Sequence, residues 1–145
     1  MKKLLIALTA CSTLALAGCG DSEPKAAAEP SALTKAEFIK QADAICAASE
    51  AKLDKLGADI SENTSMEEIQ TFLEKKAIPE MDAMVGKIRE LEPPKADAEQ
   101  VDTLLDAVEA EIAKVKKNPM AIMGDNSFEA ANKLAADYGL KTCSE

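Results

Sequence analysis

The chain has 145 residues, 26 acidic against 17 basic side chains, a formal net charge of −9 and no histidine. Absence of histidine removes Ser-His and Cys-His nucleophiles, His-ligated zinc, c-type haem attachment and di-iron Glu-x-x-His sites. The acidity, with Arg89 as the sole arginine, argues against nucleic acid or another phosphate surface as partner.

The first element is a secretory signal peptide over residues 1–18. Lys2 and Lys3 form its positive start, and Leu4 to Leu16 carry no charge. A membrane span needs about 20 apolar residues, and Asp21 and Glu23 follow too soon. Ala15-Leu16-Ala17 fits ordinary signal peptidase, whereas Leu16-Ala17-Gly18-Cys19 resembles the bacterial lipobox. In the lipobox reading Cys19 becomes residue one and carries a diacylglyceryl group. Cysteine parity favours it: with Cys11 discarded and Cys19 acylated, Cys46 and Cys143 remain as an even pair for an oxidising envelope. Acyl chains contribute about 0.8 kcal/mol per buried methylene, so the expected partner at this end is membrane lipid, held through Cys19. The expected location is the extracytoplasmic face of a bacterial membrane.

Loss of residues 1–18 leaves 15 basic and 26 acidic side chains, a net charge of −11. A body this acidic is repelled by anionic head groups. Residues 20–33, GDSEPKAAAEPSAL, combine Pro, Ala, Ser and charge without apolar periodicity and read, with Cys19, as a disordered tether. Residues 34–145 then make one helical domain.

Within it, Phe38, Ala42, Ile45, Ser49, Leu53, Leu56 and Ile60 recur at steps of three and four, predicting a first helix with Ile45 on its buried stripe and Cys46 at the edge. Thr34 to Glu37 is a capping box that starts it near residue 35. A second box, Ser65 to Glu68, opens a second helix with Ile69, Phe72, Leu73, Ala77, Met81, Met84, Val85, Ile88 and Leu91 as its stripe. Pro79 is expected to bend it, having no N–H to give and crowding the preceding turn. Pro93-Pro94 ends that run.

The third stripe is Val101, Leu104, Leu105, Val108, Ile112 and Val115, acidic at its start and lysine-rich at its end, as the helix dipole favours. Asn118-Pro119 stops it. After a Met-rich connection, Asp125, Asn126 and Ser127 offer N-caps for a short fourth helix with Phe128, Ala131, Leu134, Ala135 and Tyr138 on its face and Gly139 as its stop. No stretch alternates with a strand's period of two. The fold class is therefore all-α, an up-down-up-down four-helix bundle. Cys46 is about 18 Å into the first helix at 1.5 Å per residue, and a returning fourth helix brings Cys143 to that level, so a disulfide between them is expected.

ADAICAAS at 42–49, LEPP at 91–94 and YGLKTC at 138–143 resemble the small exported helical lipoproteins common in actinobacteria. The resemblance covers most of residues 34–145. It implies a helical domain with a disulfide from the first helix to the C-terminus, and carries no activity or functional residues.

No catalytic constellation stands out and no cofactor is expected. Met81 with Met84, and Met120 with Met123, are thioether pairs at i and i+3, which share a helix face and suit Cu(I); the plainer and preferred account is that Met81 and Met84 fill the core and Met120 and Met123, with Ile122, cap the bundle's end. Met120, Ile122 and Met123 fall in an expected loop, where apolar side chains mark a docking surface for a protein partner unless they fold back onto the bundle. Asp125-x-Ser127-x-Glu129 is a poor calcium loop without the central glycine, and capping accounts for it better. The leading expectation is a non-enzymatic envelope lipoprotein that binds another envelope protein or acts as a structural accessory. The alternative binds a small ligand or Cu(I) in the bundle interior or at the Met pairs, and an envelope hydrolase ranks third.

Overall fold

The computed structural model describes residues 32–124 and 127–144. The expected signal peptide, Cys19 and all but the last two residues of the tether lie outside the described residues. Among the described residues every regular element is helical.

Helix α1, Lys35–Leu56, opens on the expected capping box. The Thr34 hydroxyl accepts the Glu37 N–H at 3.3 Å, and the Glu37 carboxylate accepts the Thr34 N–H at 3.0 Å. The Thr34 hydroxyl, followed by its backbone N–H, holds the Glu37 carboxyl below the usual carboxylate range. The helix ends one turn earlier than its stripe predicts, and Ile60 is exposed. Gly57 is its C-cap, and beyond it Ile60 N–H closes a turn on Gly57 O at 2.9 Å; a Cβ on Gly57 would lie 3.3 Å from the Phe72 ring.

Helix α2, Met66–Phe72, starts at the second box, Ser65 with Glu68. It runs through a π turn at Leu73–Ala77 into α3, Ile78–Arg89. Pro79 causes that turn: it cannot bond the carbonyl four residues back and its ring crowds it. A wider turn absorbs both problems, with Ile78 N–H bonded to Leu73 O five residues earlier. The expected bend is thus resolved as a π turn.

Helix α4, Ala98–Lys117, buries Val101, Leu104, Leu105, Ile112 and Val115, as its periodicity predicts. Arg89 ties α3 to it through Asp106 and Glu109, both at 2.6 Å, and Asp102 at 3.6 Å. The Met-rich connection is a 3-10 turn, Pro119–Met123, with Pro119 buried. Helix α5, Glu129–Tyr138, is not capped by Ser127. That hydroxyl donates instead to Ala121 O at 2.6 Å, and Phe128 enters the helix with a positive φ of 64°. Asp125 and Asn126, the other expected caps, lie outside the described residues. Gly139 ends α5 as expected, at φ 109°, with Leu140 N–H on Ala135 O and Gly139 N–H on Ala136 O, the paired bonds of a Schellman motif.

Helix α3 packs on α1 and α4, α4 packs on α5, and the last 3-10 turn, Thr142–Ser144, returns to α1. Phe38, Ile112, Tyr138 and Leu140 are the largest side chains fully enclosed between them. Burying an Ile, Leu or Phe in this way contributes about 1.5–3 kcal/mol each. One placement is reversed: Cys46 is buried and Ile45 only partly so, because the C-terminal turn lies over Cys46 and bonds to it.

Candidate functional site

Cys46 and Cys143 form a disulfide, their Cα atoms 5.3 Å apart across 97 positions of sequence. Asp43, one turn before Cys46 on α1, accepts the backbone N–H groups of Lys141, Thr142 and Cys143 at 3.2, 3.0 and 3.3 Å. One turn of α1 therefore holds the C-terminal segment both covalently and by hydrogen bonds.

The disulfide forms the end of a surface groove of about 380 Å³. Its α1 wall is Ser49, Glu50, Leu53 and Asp54, and the facing wall is Ala77, Met81 and Met84. Ile122 and Thr142 close the sides. No α5 residue reaches it; only the segments before and after α5 do. Helix α5, only 10 residues long, packs on α4 and on the last 3-10 turn, away from this groove.

The interior is different. The space among Phe38, Val85, Leu104 and Tyr138 amounts to about 30 Å³, room for roughly one water. Ligand pockets usually measure roughly 300–1,000 Å³, so a ligand has the groove and not the packed interior to use. A second groove of about 320 Å³ lies at the α1–α2 end, where Leu56, Ile60 and Phe72 are rimmed by charges of both signs.

Beside the first groove, on the α1–α3 seam, stands Glu80, only 4% exposed. Lys52 reaches over from the surface to pair with it. The hydrogen bond from Lys52 is the main cause holding the Glu80 carboxyl below its ordinary 4.5; burial opposes it, and the Lys52 charge, Ser49 and Lys87 assist. Ser49 is equally buried, and its Oγ makes no regular hydrogen bond among the described residues, so its help to Glu80 is the weaker contact. Glu80 falls three positions after Ala77 and four before Met84, on the apolar stripe itself. That break in the pattern is the signal the sequence carries for it.

Met81 and Met84 share the groove wall, whereas Met120, half-buried, and Met123, exposed, lie outside it. Of the expected docking residues Met120, Ile122 and Met123, only Ile122 lines the groove. The four sulfurs are thus not one set. Among the described residues no three Cys, Asp or Glu side chains stand close enough to share a metal ion.

At the opposite end Tyr138 donates its hydroxyl to Asp97 at 3.0 Å, its ring edge meets Phe38, and Lys35 sits 4.1 Å over its face. Burial first, then the Asp97 hydrogen bond and charge, push the Tyr138 hydroxyl up to about 12. This cluster closes the core where α1 and α4 begin and α5 ends.

Comparison of the chain with family models, curated proteins and solved structures gives no match.

Proposed function

We propose that the chain is an exported lipoprotein, anchored through acylated Cys19, whose helical domain binds another envelope protein without catalysing a reaction. In this reading the helices run up-down-up-down as a bundle, residues 1–18 are the signal peptide, and the tether spaces the domain from the membrane. The observation that carries it is the Cys46–Cys143 bond: it engages two cysteines, leaving Cys19 as the unpaired thiol after residue 18. A disulfide also suits an oxidising envelope. No helix among the described residues is long and apolar enough to cross a membrane. The resemblance to small exported helical lipoproteins supports the same compartment. The test is Cys19→Ala: the variant leaves the membrane fraction, and one that stays there overturns the anchor.

A second reading draws on Met81 and Met84 lying together on the groove wall. Their thioethers suit Cu(I) or the body of a small apolar ligand. Full Cu(I) affinity in Met81→Leu/Met84→Leu would remove the copper form of it.

A further inference from the structure

Resting on the protein-binding reading, we propose that the groove beside the disulfide receives a basic, amphipathic helix of about two turns from the partner protein.

Shape is the first argument. The groove walls are two helix stripes, Cys46 to Asp54 on α1 and Ala77 to Met84 on the facing run. At 1.5 Å per residue these are about 12 and 10 Å long, two helical turns each. No α5 residue lines this course between α1 and α3. Apolar side chains spaced at i, i+3 or i+4, and i+7 on a docked helix would meet Leu53, Met81, Met84 and Ile122, and methionine adapts its shape to a guest surface.

Charge selects the occupant. Glu50 and Asp54 stand on the α1 rim, exposed, and neither forms an ion pair among the described residues. They attract lysine or arginine flanking an apolar ridge. A second copy of this chain, near −11 after residue 18, is repelled, as are anionic lipids and carboxylate ligands.

Photo-crosslinking in native cells, with the full chain, tests this. A benzophenone-bearing residue replaces Leu53 or Met81 in the groove, Glu50 on its rim, or Thr103 on the exposed face of α4. The groove and rim positions are expected to capture one protein segment with apolar residues at helical spacing and net positive charge, and Thr103 is not. Glu50→Arg/Asp54→Arg, both exposed and therefore compatible with folding, should lower the Leu53 and Met81 yields at least tenfold. Capture of an acidic or extended segment, of lipid or of a second copy overturns the proposal, as does an absence of product or an unchanged yield after charge reversal. Capture of a protein at Thr103 alone would leave the partner-binding reading standing and remove the groove from it. The Cys19→Ala fractionation is separate from both, since it reports on the anchor.

Discussion

Asp43 seats Cys143: one carboxylate on α1 accepts three consecutive N–H groups of the C-terminal segment, and one turn later Cys46 bonds Cys143 covalently. In the chain-entropy account a closed loop of about 100 residues is worth up to about 4.7 kcal/mol. Cys143→Ser is therefore expected to lower unfolding free energy by about 2–5 kcal/mol, read from urea midpoints, without preventing export. Asp43→Asn should cost about 1–3 kcal/mol while the disulfide still forms. An unchanged midpoint in Cys143→Ser would show that the staple is not made.

Replacing Lys52 with Met isolates Glu80. The charged carboxylate then lacks its main partner, and stability at neutral pH should fall by about 1–3 kcal/mol. In the native chain the lowered Glu80 pKa contributes stability above about pH 4.5, lost as pH falls through the folded value. In the variant burial, which raises the pKa, loses its main opponent. The deficit should thus shrink as acid neutralises Glu80, and a deficit constant from pH 7 to about pH 4 would mean that Glu80 is not the cause.

Tyr138 is the only tyrosine, so phenolate absorbance reports it alone. Its midpoint is expected near 12, with folding stability complete below the ordinary value of 10 and lost as pH rises towards the folded one. Asp97→Asn should move the midpoint down but not back to 10, since burial is the larger cause. A native midpoint at 10 would contradict the enclosure described.

Gly139→Ala places a Cβ at φ 109° and 3.3 Å from Ile39 Cδ1. A loss of about 1 kcal/mol or more is expected in urea titration, because both the backbone strain and the crowding act on the folded state. The neighbouring Asp137→Ala, on the exposed face, serves as the comparison and should change stability by less than about 0.5 kcal/mol.

Features governed by local chemistry were legible before the structure. Both capping boxes, the α4 stripe and the Gly139 stop depend on residues within one or two turns, and each appears where its pattern places it. The cysteine pair was legible from parity. What escaped depends on residues distant in sequence. Ile60 fits the α1 period, yet the helix stops at the Gly57 cap and Ile60 N–H closes a turn on Gly57 O. Ser127 fits an N-cap, yet Ala121 O takes its hydroxyl. Pro79 announced a disturbance without specifying a π turn, and the partner that lets Glu80 be buried, Lys52, lies 28 positions earlier. The groove was invisible for the same reason: its walls, from α1, the Ala77 to Met84 run, Ile122 and Thr142, come from segments far apart in the chain.

The Cys46–Cys143 bond also decides how the domain carries mechanical load. A force applied between the residues ahead of α1 and the C-terminus passes along α1 to Cys46, crosses the sulfur bridge and leaves through Cys143. Helices α2 to α5, within the covalent loop, lie off that line of tension. Pulling can fray only the first half of α1 and the last few residues, while about two thirds of the chain stays shielded. A protease cut inside the loop has a similarly limited effect, since the two pieces remain one molecule until a reductant separates them.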